Sequence, residues 1–357
     1  MDFSLSDREQ ELIDAFGKFF NQESPIAVVR AAEPSGFDPK LWATTVDLGV
    51  PAMALPDADG GATFVELALL CELAGRALAP IPLIETLCCV RALSAARAAL
   101  PQDAAAAVDA AIDELTTGGA GTVALRTAAE RRHRQLVPGG AVADVVLMVT
   151  EDDAVVLARP DGDDSRVLRF EQVHGSAPVA AWDLERSDAD TTLLAGGGAD
   201  WLANVRVEWK VLTGAALMGL ARRALEIGAE YATGRRAFGT PIGTFQGVAH
   251  PLADAAAEID GGTLLVRRAA WLIEEGRTDD ATHLARLAWG FCGPVAMNTT
   301  ARSVHIHGGY GAALEYDIQL FHTRARAWAT MLGDPHEDLR TVGDGLLAAA
   351  TGAEEAR

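Results

Sequence analysis

Apolar residues recur at helical spacing over most of this chain, and one middle stretch breaks the rule. Near the start, Leu12, Ile13, Phe16, Phe19 and Phe20 fall mostly three or four apart behind Ser4 or Ser6 as a cap, which predicts an amphipathic helix. Asp38-Pro39 opens a short helix through Trp42 that ends near Leu48-Gly49. Pro51 to Gly61 reads as a loop, marked by Pro56, Asp59, Gly60 and Gly61. A long Ala/Leu-rich helix is expected from Phe64 to Leu78. Pro80 and Pro82 break it, and helices resume at Glu85 to Leu100 and Asp103 to Leu115.

The period changes at Thr117-Gly118-Gly119. Short β-type runs between Gly, Asp and Pro clusters predict strands at Val142 to Val149, Ala154 to Ala158, Arg166 to Phe170 and Thr191 to Leu194. They make a small sheet domain, or a surface β-insertion with no chemistry of its own. From Asp200 onward helical spacing returns. Leu217, Leu220, Ala224, Ile227 and Tyr231 form one stripe; Leu252, Ala256, Ile259, Thr263, Val266, Ala270 and Ile273 form another. Phe291, Val295, Leu339, Val342 and Leu346 lie on further helical stretches, and short connections between them predict a four-helix bundle. The expected fold is mainly α with a small β-domain: helices over 1–117, the sheet over 118–200 and the bundle over 201–357.

Charge and cysteine content narrow the function. The formal net charge is −20, which disfavours nucleic acid and anionic membrane surfaces. The four cysteines, Cys71, Cys88, Cys89 and Cys292, form no C-x-x-C pair, so neither a disulfide framework nor a zinc site is implied. The start MDFSLSDREQ lacks a basic segment followed by an apolar run, and no run approaches the ~20 apolar residues of a membrane span. A cytoplasmic protein is the expectation.

Two segments carry candidate chemistry. In Arg235 to Gln246 (RRAFGTPIGTFQ) a helix ends in paired arginines, turns through Gly and Pro, and restarts near Phe245. This offers a guanidinium for phosphate, an aromatic face and an amide; the plain alternative is a helix C-terminus with cations on its dipole. In His305 to Gly311 (HIHGGYG), read as a loop, consecutive glycines let backbone approach a phosphate or ribose. Glu315-Tyr316-Asp317 and Arg324-Ala325-Arg326 follow. His305 and His307 lack the spacing and neighbours of a metal site, so no metal is expected. G-x-S-x-G, the P-loop and a strand-linked G-x-G-x-x-G are absent.

Together these segments resemble the acyl-CoA dehydrogenase family. R-x-x-F-G-x-P-I-G-x-F-Q, here Arg235 to Gln246, is similar to that family's hallmark, and H-G-G-Y-G follows at the usual distance. Phe3 to Phe20 and Phe64 to Pro82 resemble its N-terminal helices, and Leu41 to Gly61 resembles the turn between them. The resemblance implies a helical domain, a middle β-domain and a four-helix bundle, with FAD bound across a subunit interface. It places Arg235 on the pyrophosphate of a neighbouring subunit's FAD. Phe238 and Gln246 fall on the adenosine half, and His305, Gly308 and Gly309 along the ADP part.

The departures carry information too. The family's Thr/Ser-Glu-x-x-x-Gly-Ser-Asp and Trp-x-Thr/Ser segments are not evident; Gly118 to Glu130 reads GGAGTVALRTAAE. The family reaction removes a proton α to the thioester and passes a β-hydride to flavin, which requires a carboxylate base. Leu332 stands at one of the family's two base positions. Trp209 stands at the other, with Glu208 beside it as the remaining candidate on this chain. The resemblance therefore implies an acyl-CoA substrate and a homologous partner subunit in an α2β2 assembly. The actinobacterial steroid-degrading dehydrogenases are built in this manner, with an acceptor such as an electron-transfer flavoprotein. A homo-oligomer using Glu208, and a flavin-free scaffold or acyl-CoA binding or hydration module, are the alternatives.

Overall fold

The computed structural model describes residues 4–56, 61–97, 100–130, 134–160, 165–170, 175, 177–185, 187 and 190–355. Phe3 and residues 57–60 of the expected 51–61 loop lie outside them. The chain opens with helices α1 (Asp7–Glu23), α2 (Ile26–Ala32), α3 (Pro39–Asp47), α4 (Phe64–Arg76), α5 (Leu83–Arg97) and α6 (Gln102–Thr117). Strands β1 (Gly121–Val123), β2 (Arg134–Val137), β3 (Val145–Val149), β4 (Val155–Ala158), β5 (Val167–Arg169), β6 (Ala180–Asp183) and β7 (Thr191–Leu194) follow. The last part holds α7 (Gly198–Gly234), the short pair β8 (Arg236–Ala237) and β9 (Thr240–Pro241), and helices α8 (Gln246–Glu274), α9 (Thr278–His307), α10 (Ile318–Ala329) and α11 (His336–Glu355).

The helix starts follow local chemistry. Ser6 and Glu9 form a reciprocal capping box at α1: Glu9 N donates to Ser6 Oγ at 3.3 Å and Ser6 N to Glu9 Oε2 at 2.6 Å. Thr63 and Glu66 repeat the device at α4, with bonds of 3.1 and 2.8 Å. Asp38 accepts from Leu41 N at 2.7 Å, with Pro39 in the first turn of α3, where a missing N–H costs nothing.

The chain divides into two compact units. One comprises Lys18–Leu67 and Ala79–Trp209. Its strands form a four-stranded sheet, β1-β3-β4-β7, and a three-stranded sheet, β2-β6-β5. β1 runs parallel to β3, and the other pairings of these strands are antiparallel. The layer between the sheets is apolar: Val137, Val146, Met148, Val156 and Trp182 are all fully buried. Trp182 satisfies its indole by donating to Gly140 O at 3.0 Å. Helix α5 packs on β1, where Thr86 Oγ1 accepts from Gly121 N at 3.1 Å. Asp153, in the β3–β4 turn, accepts from Gly197 N and Ala199 N at 2.9 and 2.8 Å, tying down the start of α7.

The other unit comprises Met1–Gly17, Ala68–Leu78 and Lys210–Arg357. Helix α9 is its hub, with α8, α10 and α11 packed against it. Trp289, Ala285, Cys292 and Ala296 supply α9's buried side. Glycines let α4 and α7 meet backbone to backbone. A Cβ on Gly219 would stand 1.8 Å from the Glu72 carbonyl oxygen, and one on Gly75 would stand 2.1 Å from that of Ala216. Beside this crossing the Glu72 carboxyl is pushed up by burial, opposed by Arg267, Arg222 and Arg76. The four cysteines are buried and form no disulfide.

Two expectations change. β1, β2 and β6 stand outside the predicted strands. Each is three or four residues long, and Ala180-Ala181 in β6 carries no β-branched signal, so pairing in the sheet overrides propensity. His305 and His307, expected on a loop, form the last turn of α9, which stops only at Gly308 with φ +62°.

Candidate functional site

The hallmark segment folds as a hairpin closing α7. Arg235 N donates to Tyr231 O at 2.8 Å, and Ile242 N returns to Arg235 O at 2.8 Å. Between them β8 pairs with β9, Arg236 opposite Pro241 and Ala237 opposite Thr240. The two turn residues, Phe238 and Gly239, have φ of +52° and +82°. A two-residue hairpin of this hand suits Asn-Gly or Gly-Gly, so a phenylalanine here costs about 1–2 kcal/mol of backbone strain. Its ring is 97% exposed and meets Phe245 edge to face at 6.2 Å. A strained, solvated aromatic contributes nothing to the core, and such strain concentrates at functional positions.

Arg235 and Gln246 are both exposed, Gln246 as the first residue of α8. Among the described residues Arg235 forms no ion pair. Arg236 instead turns back to donate to Gly239 O at 3.2 Å.

The second motif lies beside the first. His307 is buried, donates from Nδ1 to Ser303 O at 2.7 Å, and stacks on Tyr231 with centroids 4.1 Å apart. Since Tyr231 stands one turn before Arg235, this stack links the hairpin to the glycine turn. His305 is exposed on the neighbouring face of α9. At Gly308 and Gly309 a Cβ would meet nothing within 4 Å, whereas at Gly311 it would stand 2.3 Å from Val304 O. Gly311 is thus required by packing, while Gly308 and Gly309 leave open backbone. Tyr310, 56% exposed, lies 5.4 Å from Tyr316. A patch with an available guanidinium, exposed aromatic rings, a helix N-terminus at Gln246 and open glycine backbone has the chemistry to hold an anionic nucleotide.

Arg324 and Glu208 are placed elsewhere. Arg324 is buried, donates to Leu78 O at 3.2 Å and stacks over Trp328 at 5.1 Å, a packing role. Glu208 belongs to the unit that carries the sheets. There Arg91 Nε and Nη2 donate to its two oxygens at 2.8 and 2.9 Å, and the same guanidinium lies 4.8 Å over Phe64. Both carboxylate oxygens of Glu208 are thus engaged by one guanidinium, the geometry of a structural ion pair. Trp209 is buried and Leu332 part-buried; neither can take a proton. Among the described residues no cluster of metal ligands is present, and no helix is long and apolar enough to cross a membrane.

Known proteins fit this geometry. Residues 204–347, which contain both motifs, match the family profile of the acyl-CoA dehydrogenase C-terminal domain. Acyl-CoA dehydrogenase IpdE2 of Mycobacterium tuberculosis is 30% identical over 88% of this chain and 90% of its own. The chain belongs to the acyl-CoA dehydrogenase family. The solved Tcur3481-Tcur3483 steroid ACAD has a chain 26% identical to this one, with a TM-score of 0.81 over 98% of this chain and 100% of that one. The ChsE4-ChsE5 complex from Mycobacterium tuberculosis, at 24% identity, shares the fold with a TM-score of 0.79 over 97% of this chain and 99% of that one.

Sequence reasoning singled out the segments Arg235 to Gln246 and His305 to Gly311 but missed three features. The Tyr231–His307 stack joins residues 76 apart, which no local pattern reveals. Arg91 carries no local signal, since its partner Glu208 is 117 residues away. Glu85 had a visible signal: it is the lone charge in the run Leu83 to Val90, LIETLCCV.

Proposed function

We propose that this chain is one subunit of a heteromeric FAD-dependent acyl-CoA dehydrogenase. In this reading it supplies the nucleotide edge of a flavin site, and a homologous partner supplies the catalytic base. The observation that carries the reading is Phe238, an aromatic held at positive φ with its ring in solvent. Such a residue is explained by something outside the chain that stacks on it.

The residues present fit a dinucleotide. Arg235 would bind the pyrophosphate, as a fork matched to phosphate oxygens. Phe238 would cover the adenine and Gln246 would hydrogen-bond the adenosine half. His305 and the open backbone at Gly308 and Gly309 would line the ADP. The flavin, when bound, supplies the acceptor for the β-hydride of the acyl thioester. The α-proton needs a carboxylate, and the two family positions on this chain hold Trp209 and Leu332. Glu208, held by Arg91, is proposed as a structural ion pair in place of a base. The two-part designation of the related steroid ACAD supports a non-identical partner in an α2β2 assembly and a polycyclic acyl-CoA substrate. A soluble electron acceptor of the electron-transfer flavoprotein type would complete the cycle in the cytoplasm.

A second reading, a flavin-free member that binds or hydrates acyl-CoA, draws on Trp209 and Leu332 at the base positions. Visible spectra of the chain purified alone and co-expressed with a homologous partner separate the readings. A flavin band on co-expression only is expected. Yellow protein from the chain alone would favour a homo-oligomer, and no flavin in either preparation would overturn the dehydrogenase assignment.

A further inference from the structure

The nucleotide reading draws on His305 and leaves out His307, the better enclosed of the two. His307 is 6% exposed, and a run of tyrosine rings holds it. Tyr231 stacks on the imidazole at 4.1 Å, Tyr316 meets it edge-on at 6.3 Å, and Tyr310 lies 5.4 Å beyond Tyr316. The two ring nitrogens differ. Nδ1–H donates to Ser303 O at 2.7 Å, so in the neutral ring Nε2 carries a bare lone pair. Among the described residues nothing hydrogen-bonds Nε2, and that atom is not sealed from solvent. A histidine more than nine-tenths buried thus keeps one unpartnered polar atom at the surface.

That atom lies among the groups proposed for the nucleotide. Gly308 and Gly309 follow directly, with space where a Cβ would be. Exposed Arg235 stands one turn beyond Tyr231, across the ring stack. The local field is unfavourable to an anion. Helix α7 ends at Gly234 and α9 at His307, so two helix C-termini, each the negative end of its dipole, come together here. A pyrophosphate beside them needs compensating positive charge. Arg235 supplies one cation, while Arg236 is turned back onto Gly239 O. A second proton on the His307 ring supplies another, is favoured by the same helix end, and makes Nε2 a donor.

We infer that His307 binds the pyrophosphate of the nucleotide through Nε2, and that its ring takes up a proton from solvent as the nucleotide binds and returns it on release. The inference rests on the flavin reading above. Because the charged ring favours the anion, nucleotide affinity rises as pH falls. The titratable and charged groups around the ring are Tyr231 and Arg235 from α7, His305 on α9, Tyr310 in the glycine turn, and Glu315, Tyr316 and Asp317 before α10. Histidine is the residue type that changes charge near neutral pH, so His305 is the rival site for the proton. The other competing explanation is that the His307 ring only packs α9 against α7.

The test uses the co-expressed complex, stripped of flavin, at pH 6, 7 and 8. FAD binding is read from quenching of its fluorescence. ADP-ribose, which carries the same pyrophosphate diester without the flavin, is read by calorimetry. Both diesters stay ionised over this range, so a slope belongs to the protein. The wild type is expected to bind each probe about fivefold tighter at pH 6 than at pH 8, the effect of a charge-assisted bond gained with the proton. His307→Phe keeps a ring against Tyr231 and is expected to remove the slope, its loss falling mainly at pH 6. His307→Gln should also be flat, and His305→Gln should keep the slope. A flat wild-type profile overturns the inference whether or not the variants fold. A slope that survives in His307→Phe, or vanishes in His305→Gln, places the proton elsewhere and overturns it too. So does an equal loss at all three pH values in His307→Phe, which is the signature of packing alone. If FAD fails to bind at any pH, the flavin reading falls. A sloped ADP-ribose profile then still supports the phosphate site, and a flat or absent one overturns it as well.

Discussion

Replacing Arg91 by Met and Glu208 by Gln, singly and together, separates a structural pair from a catalytic base. The side chains are 19% and 22% exposed and share two bonds of 2.8 and 2.9 Å. Fully exposed pairs contribute about 0–1 kcal/mol, and breaking a buried pair costs about 3–5 kcal/mol. This half-sheltered bidentate pair falls between, at about 1–3 kcal/mol for either single change. Arg91→Met is expected to cost more than Glu208→Gln by about 0.5–1 kcal/mol, because it also removes the cation from the Phe64 ring. The double variant should fall short of the sum of the singles by about 1–2 kcal/mol of coupling. Urea denaturation of the purified chain gives all four stabilities. Flavin reduction by acyl-CoA in the co-expressed complex is read in parallel, where a lost base costs about 10²–10⁴-fold. If Glu208→Gln abolished reduction while stability stayed unchanged and coupling was nil, the ion-pair argument would be wrong and Glu208 would be the base.

Gly219→Ala is expected to destabilise by about 3 kcal/mol or more, above ordinary overpacking, because its Cβ would need the Glu72 backbone to move. Gly343→Ala on α11, where a Cβ meets nothing, should be neutral or stabilise by up to about 1 kcal/mol in the same denaturation assay. Phe238→Asn, better suited to positive φ, is expected to stabilise the chain by about 1 kcal/mol yet weaken flavin retention about tenfold, measured by flavin release from the complex. Unchanged retention would remove Phe238 from the site. The Glu85 carboxyl, raised from 4.5 to about 7 in the folded chain, contributes stability that is full below pH 4.5 and is lost as pH rises through 7. The shift amounts to about 3 kcal/mol at most. Wild type minus Glu85→Gln stability should therefore fall by up to that amount from pH 4.5 to 8. A flat difference would contradict the burial.

Helical periodicity was enough to read the bundle, because stripes such as Leu217, Leu220 and Ala224 repeat over many turns and each turn adds evidence. Capping chemistry at Ser6 and Asp38 was readable for the same local reason. The sheets were harder. β1 holds three residues, and its place beside β3 depends on a parallel pairing across 24 positions, which sequence alternation does not encode. In the site, Arg235 and the glycines announced themselves through residue type. The strain at Phe238 did not, since φ is a property of the closed hairpin. Nor did the fate of Glu208, because its partner Arg91 is 117 residues away.

The solvated rings of Phe238 and Tyr310 also bear on how the cell handles this chain before assembly. Exposed aromatic rings on a copy without its proposed partner are the kind of surface that proteolysis and chaperones act on. In the proposed heteromer its abundance would then follow the supply of the partner subunit, with surplus copies cleared. Deleting the mate's gene should therefore deplete this protein after translation, leaving its transcript level intact.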